Sequence, residues 1–141
     1  MASEGGVGRA RIEPDSTERF VGLRKRLGVS CFGLNQMVLQ PRQRGRIHRH
    51  QRQEEVYLVL EGELTISIEG EEERLGEGEL MRVGPEVRRQ LMNRSAAPVV
   101  FVAIGGAEEH QGRDGEAFTS WDATEGAPPQ DVPLPEDLPP S

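Results

Sequence analysis

The chain has 141 residues, of which 35% are hydrophobic and 4% aromatic, and its formal net charge is −7. This length suffices for one domain with a mostly aliphatic core, and no apolar run approaches the roughly 18 residues of a membrane-spanning helix. The single cysteine, Cys31, excludes an internal disulfide framework, and we expect it to be a small core residue. Because the first residues also lack the apolar stretch of a secretory signal, we expect a cytoplasmic protein.

The negative charge is concentrated towards the C-terminus. Residues 1–102 hold 16 basic and 15 acidic side chains, whereas residues 103–141 hold one basic and nine acidic side chains. A nucleic-acid-binding protein must neutralise phosphates, so a near-neutral body with an acidic end argues against a nucleic-acid partner. Five arginines between residues 42 and 52 are expected to pair with the acidic end of the same or a neighbouring chain.

Residues 1–28 are predicted to be an N-terminal arm or edge segment, in which 13–26 fits either a short helix or an edge strand. From residue 29 onward, short runs of β-branched and aliphatic residues are interrupted by Gly or Pro about every ten residues. Strand-sized runs without a long amphipathic helix predict an all-β sandwich or barrel over 29–106. The predicted strands are 31–39, 46–50, 56–60, 64–68, 80–83, 88–93 and 99–104.

Residues 107–141 are predicted to be an acidic, Pro-rich C-terminal extension. Residues 126–141 contain six of the ten prolines, which excludes a helix or a central strand and favours an extended segment. Phe118 and Trp121 stand in an otherwise polar stretch, and we expect them to pack on the outer face of the barrel or across a dimer interface.

Two histidines and a glutamate form the first candidate site. His48 and His50 lie two positions apart in a predicted strand, so their side chains point to the same side with Cα atoms about 6.6 Å apart. Glu55 opens the next predicted strand. Two imidazoles and a carboxylate suit a divalent transition metal, Fe, Mn, Ni or Zn, and leave coordination positions open for water or substrate.

The stretch 41–62 resembles the first motif of the cupin superfamily, G-x5-H-x-H-x3,4-E-x6-G. His48, His50, Glu55 and Gly62 fall in register with this motif, while Arg42 stands at its leading glycine. The resemblance implies a small, single-domain jelly-roll barrel of the conserved-barrel type with its site in the mouth. It also implies a homodimer.

The second cupin motif, G-x5-P-x-G-x2-H-x3-N, is matched at Gly78 and Asn93 but not throughout. Gly84 stands at the position of its proline. The family's fourth metal ligand, a histidine, falls on Arg89. The resemblance as a whole covers roughly residues 30–104.

Arg89 leaves the nature of the site open. It would place a permanent cation beside a metal ion, where it could bind an anionic substrate. Alternatively, it could pair with Glu55 in a metal-free site that fixes a carboxylate or phosphate. Gln90 is an alternative fourth ligand if a bulge shifts the register by one residue.

Four further residues are candidates for the pocket. Tyr57 lies two positions after Glu55 in the predicted strand, so it should face the same side. We expect it to be either a phenol that binds the ligand or a packed wall residue. Asn35 and Met37 are expected to face the pocket from an earlier strand. Arg46 should face the same side of its strand as the two histidines, where it either lines the pocket mouth or lies exposed.

The sequence therefore predicts a cupin that binds a divalent metal and a small organic ligand. A metal-dependent dioxygenase is the first hypothesis for its activity, and a sugar or keto-acid isomerase is the second. A metal-free or non-catalytic module that binds small anions is a separate alternative, and an interaction domain that works through its C-terminal extension is a third. No membrane partner is expected.

Overall fold

Ten strands form two five-stranded antiparallel sheets in the computed structural model, which describes residues 6–106 and 114–140. The strands are β1 (Phe20–Gly22), β2 (Gly33–Leu39), β3 (Ile47–His50), β4 (Glu54–Glu61), β5 (Leu64–Ile68), β6 (Glu71–Leu75), β7 (Leu80–Val83), β8 (Arg89–Met92), β9 (Val99–Gly106) and β10 (Gly115–Phe118). The first sheet has the order β1-β2-β9-β4-β7 and the second β10-β3-β8-β5-β6. A five-residue helix, α1 (Leu23–Leu27), follows β1, and a 3-10 turn (Pro129–Asp131) follows β10.

The predicted all-β barrel is confirmed, and each of the seven predicted strands coincides with an observed one. The segment 13–26 contains both of the expected alternatives, because β1 passes directly into α1. Strands β6 and β10 were not predicted. In β6 the four residues before Leu75 are charged and exposed, so this strand lacks the apolar alternation that reveals a strand in sequence.

Cys31 is exposed, because it lies in the bend that precedes β2 rather than in the strand itself, so its placement in the core was wrong. The predicted boundary at residue 107 lies outside the described residues. No helix in the described part of the chain is long and apolar enough to cross a membrane.

The core lies between the two sheets and is mostly aliphatic. It draws on β2, β4, β7 and β9 of the first sheet and on β5, β6 and β8 of the second. Its buried members are Leu39, Tyr57, Val59, Leu64, Ile66, Leu75, Val83, Leu91, Val99, Phe101 and Ala103. Each large side chain of this kind contributes about 1.5–3 kcal/mol when fully buried, so the core holds the two sheets in the alignment that the site needs.

Two positions of the first cupin motif adopt left-handed backbone conformations. Gly62 has φ of 82°, and a Cβ atom there would lie 2.6 Å from the carbonyl oxygen of Pro98, so only glycine fits this turn. Arg42, at the motif's leading glycine, has φ of 72°. Its backbone N–H donates to the carbonyl of Asn93 at 2.8 Å, and its carbonyl accepts from the N–H of Leu138 at 2.7 Å. These two hydrogen bonds hold a conformation that a non-glycine residue rarely adopts.

The C-terminal residues contact the stretch of arginines before β3 mainly through their backbone. Arg44 Nε donates to the carbonyl of Glu136 at 2.7 Å, and Arg46 Nε donates to the carbonyl of Val132 at 2.6 Å. Val132 is itself buried. In β10 Phe118 is buried, and the guanidinium of Arg88 lies 3.7 Å from the centre of its ring. Charge-to-carbonyl hydrogen bonds and apolar burial, rather than ion pairs alone, hold this segment to the barrel.

Candidate metal centre

Strands β3 and β4 bring the three predicted ligands together. His48 and His50 extend from one face of β3, while Glu55 lies near the start of β4 in the opposite sheet. Glu55 Oε1 lies 3.5 Å from His48 Nε2 and 3.2 Å from His50 Nε2. One potential ligand atom from each residue lies within 4.8 Å of the other two. The geometry therefore matches the sequence prediction of a two-histidine, one-carboxylate cluster.

The loop between β3 and β4 crosses from one sheet to the other and is fixed by Asp114. The Asp114 carboxylate accepts hydrogen bonds from the backbone N–H groups of Arg52 at 2.9 Å and Gln53 at 2.8 Å. Asp114 is buried, directly before β10. It was not predicted as part of the site. Since it comes from a distant part of the chain and its carboxylate accepts hydrogen bonds from backbone groups, no local sequence pattern indicates it.

The two imidazoles have different surroundings. His48 Nδ1 lies 3.2 Å from the carbonyl of Arg46, which favours a proton on Nδ1 and a lone pair on Nε2 directed to the cluster. Both ring nitrogens of His50 are buried and have no hydrogen-bond partner. A buried polar atom without a partner costs about 1–3 kcal/mol, and coordination of a metal ion would offset that cost at Nε2. The residues present thus fit a divalent transition metal.

Arg89, which the second cupin motif aligns with the fourth ligand, lies beside Glu55. Its side chain is fully buried, and Arg89 is the register partner of His48 across the β3–β8 pair. Nη2 donates to Glu55 Oε1 at 3.0 Å, Nε donates to the hydroxyl of Tyr57 at 3.3 Å, and Nη1 donates to the carbonyl of Val87 at 2.6 Å. The guanidinium is therefore fixed on three sides and balances the charge of the carboxylate.

Glu55 is an ionised carboxylate surrounded by hydrogen-bond donors. Burial alone would raise its pKa, but the imidazoles of His48 and His50 beside it outweigh that effect and hold the pKa well below its usual range. Tyr57 donates its hydroxyl proton to Glu55 Oε1 at 2.5 Å. Burial and the adjacent carboxylate raise the pKa of Tyr57 well above its usual value, so the phenol keeps its proton.

Comparison with known families and structures identifies the fold. The sequence pattern of the Cupin domain matches residues 35–105. The chain belongs to the cupin family. A cupin protein from Bacteroides fragilis is 23% identical with a TM-score of 0.67, covering 86% of this chain and 98% of that one. No curated protein matches the chain in sequence.

Two further structures share the fold of this cupin. A sugar phosphate isomerase from a cupin superfamily, from Silicibacter pomeroyi, is 21% identical with a TM-score of 0.64, covering 92% of this chain and 90% of that one. A putative sugar phosphate isomerase from Acidithiobacillus ferrooxidans is 20% identical with a TM-score of 0.60 over 67% of this chain. The chain spans 60% of the length of that protein.

A cavity of about 590 Å³ opens in front of the cluster in this cupin. Asn35 and Met37 line it from β2, which agrees with the parity predicted from the sequence. Arg24 and Lys25 of α1 also line it, although the sequence analysis placed the first 28 residues outside the barrel. The sequence feature that could have indicated this cationic wall is the run of three cations at 24–26, which includes the only lysine of the chain.

Two predicted ligand-binding residues do not point into this cavity. Gln90 is buried, and its Nε2 donates to the carbonyl of Gly45 at 3.0 Å. It pairs in register with Ser67 without a bulge, so neighbouring Arg89 takes the inward position and the alternative of Gln90 as a ligand was wrong. Arg46 borders a neighbouring chamber, with its Nε bound to the carbonyl of Val132.

Proposed function

We propose that this cupin binds one divalent transition metal ion through His48, His50 and Glu55 and uses the adjoining cavity to bind a small organic anion. The observation that carries the proposal is the buried Nε2 of His50, which has no hydrogen-bond partner yet lies beside the other two potential ligand atoms. Two imidazoles and one carboxylate suit Fe, Mn, Ni or Zn. A bound metal would act there as a Lewis acid towards an oxygen of the ligand.

The charge balance of the site favours an anionic ligand. Glu55 and Arg89 neutralise each other at 3.0 Å, and the histidines that bind a metal are neutral. The Asp114 carboxylate lies 3.9 Å from His50 Nδ1. With it, a divalent ion would still leave a partly buried site with an excess of one positive charge, which is costly unless a ligand supplies negative charge. Arg24 and Lys25 add two more cations at the cavity wall.

For the reaction, the donor set favours a dioxygenase. A two-histidine, one-carboxylate set with open coordination positions is the ligand arrangement of non-haem Fe(II) oxygenases. Within the chain, Arg89 and Tyr57 would hold the Glu55 carboxylate in place through their hydrogen bonds. The second candidate is an isomerase of sugar phosphates or keto acids. Its sugar phosphate form is supported by a sugar phosphate isomerase and a putative one that share the fold.

The metal-free alternative also rests on a specific contact. The Arg89–Glu55 ion pair gives the carboxylate a permanent counter-charge without any metal, and such a site could fix an anion through cations alone. The two functions differ in what His50 does. Without a metal its Nε2 only approaches Glu55 Oε1 at 3.2 Å and forms no hydrogen bond, whereas a bound metal would take this atom as a ligand. Metal content therefore separates them.

The test is elemental analysis of the full chain purified without a nickel column. We expect about one equivalent of a transition metal per chain, loss of the metal in His48→Ala and His50→Ala, and strongly weakened binding in Glu55→Ala. Glu54→Ala is the matched control, because Glu54 is the exposed neighbour of Glu55 and pairs with Arg82 instead. Absence of metal in the wild type after reconstitution with Fe(II), Mn(II), Ni(II) and Zn(II) would contradict the proposal and favour the metal-free alternative.

A further inference from the structure

A second cavity adjoins the candidate metal centre on the side of the C-terminal segment. This apolar chamber has a volume of about 470 Å³. It shares Met37, His48 and His50 with the cavity described above, so the two spaces meet at the histidines. Apolar side chains from a strand and from the C-terminal segment also line it: Leu39, Pro129 and Leu134.

The C-terminal wall of the apolar chamber is anchored to the barrel. Val132, which lies between Pro129 and Leu134, is buried, and its carbonyl accepts a hydrogen bond from Arg46. Further along, the backbone N–H of Leu138 donates to the carbonyl of Arg42. Leu134 itself is 46% exposed although it is a leucine on an anchored segment. A ligand in the chamber would bury part of that apolar surface.

The first cavity, unlike the apolar chamber, is lined by two cations of α1, Arg24 and Lys25. Lys25 is exposed and forms no ion pair with any residue that the structure describes, and Arg24 makes one hydrogen bond, to the carbonyl of Val29 at 3.4 Å. Arg26, on the same helix, pairs with Glu13 and does not line the cavity. Two cations of α1 are therefore available to a ligand, and the third is not.

We propose that the ligand of this cupin is an amphipathic organic anion that spans both spaces. Its anionic group lies at Arg24 and Lys25, its middle passes the histidines, and its apolar part fills the chamber closed by Leu134. The inference rests on the proposed function, and it makes the C-terminal segment part of the ligand site. A hydrophilic sugar phosphate would leave the apolar chamber unused, so an aliphatic or aromatic carboxylate fits the combined space better.

The experiment measures binding of straight-chain carboxylates from acetate to decanoate by calorimetry, on both the Zn²⁺-loaded and the metal-free full chain. Affinity is expected to rise about fourfold with each added methylene until the chamber is filled. Leu134→Asp should abolish this dependence on chain length. Leu80→Asp is the matched control, since Leu80 is 60% exposed on β7 and lines neither space.

A second pair of variants tests the cationic end. Lys25→Gln should weaken binding of every carboxylate several-fold, whereas Arg26→Gln should leave it unchanged. Hexanamide, which has no charge, should bind the wild type and Lys25→Gln equally. Equal effects of the two substitutions on hexanoate would overturn this half of the proposal.

Leu134 also borders a separate cavity beside Trp121. A third comparison therefore tests whether the ligand binds in the two inner spaces or in that cavity. Phe20 lines both inner spaces and is 55% exposed, so Phe20→Ser should weaken decanoate binding without unfolding the chain. Trp121→Ala should have no effect. Equal affinities for acetate and decanoate, or loss of binding in Trp121→Ala only, would overturn the proposal. Failure of the wild-type chain to retain Zn²⁺ on loading would instead contradict the proposed function, while chain-length dependence in the metal-free chain would still support the inference.

Discussion

Adjacent glutamates on β4 form two ion pairs in opposite environments. Glu54 pairs with Arg82 at 2.5 Å, and their side chains are 55% and 63% exposed. Glu55 pairs with Arg89 at 3.0 Å, and their side chains are 15% and 0% exposed. The outer pair is screened by water, whereas the inner pair replaces the hydration of both charges. The same two residue types thus form a surface contact on one face and the electrostatic centre of the site on the other.

The inner pair should dominate stability. Arg89→Ala leaves the Glu55 carboxylate without its buried counter-charge and removes a fully buried side chain, so we expect the free energy of unfolding to fall by about 3–5 kcal/mol. Urea unfolding of the metal-free chain measures this. A loss below about 1 kcal/mol would show that Arg89 does not neutralise Glu55 in solution.

Tyr57→Phe should have the next largest effect. The substitution removes the hydroxyl that donates to Glu55 Oε1 but keeps the buried ring, so we expect a loss of about 1.5–3 kcal/mol, the range for a hydrogen bond to a charged group. The same urea experiment tests it. An unchanged midpoint would indicate that water or Arg89 replaces the phenol at no cost.

Arg89→His should turn the three-ligand cluster into a four-ligand set. The substitution removes a cation beside the metal and adds an imidazole in register with His48, so we expect Zn²⁺ to bind at least about tenfold more tightly, a gain of about 1.4 kcal/mol. Competition with a chromophoric chelator measures the affinity. Arg82→His, on the outer pair, serves as the control and should change nothing. Equal affinities of Arg89→His and wild type would argue against Arg89 at the fourth-ligand position.

The outer pair should matter least. Arg82→Ala is expected to reduce the free energy of unfolding by no more than about 1 kcal/mol, and 1 M NaCl should abolish the difference from wild type. Chemical unfolding at low and high salt provides the measurement. An effect as large as that of Arg89→Ala would remove the distinction between the two faces of β4.

Residue patterns in the sequence predicted those parts of the molecule that depend on local order. Apolar runs and turn residues located seven strands, and the spacing of His48, His50 and Glu55 located the cluster. Parity along β2 also placed Asn35 correctly. Alternation along β8 places Arg89 inward and Gln90 outward, provided that the strand has no bulge. The structure shows regular pairing there, whereas the sequence alone did not decide whether a bulge was present.

What the sequence did not reveal arises from contacts between distant segments. The cationic wall comes from α1, the apolar wall comes from the C-terminal segment, and Asp114 fixes the β3–β4 loop from a position about sixty residues away. Strand β6 is held mainly by pairing with β5, since Leu75 is the one apolar residue that it adds to the core. Tertiary packing decides such features, and apart from the run of cations at 24–26 no local pattern indicates them.

The most direct test of the metal centre is a crystal structure of the full chain grown with Zn²⁺ and measured at the zinc absorption edge. The account predicts one anomalous peak within about 2.0–2.2 Å of a nitrogen of His48, a nitrogen of His50 and an oxygen of Glu55, with Arg89 still fully buried beside it. Density that shows no peak at these three residues, while Glu55 remains bound only to Arg89 and Tyr57, would contradict the account.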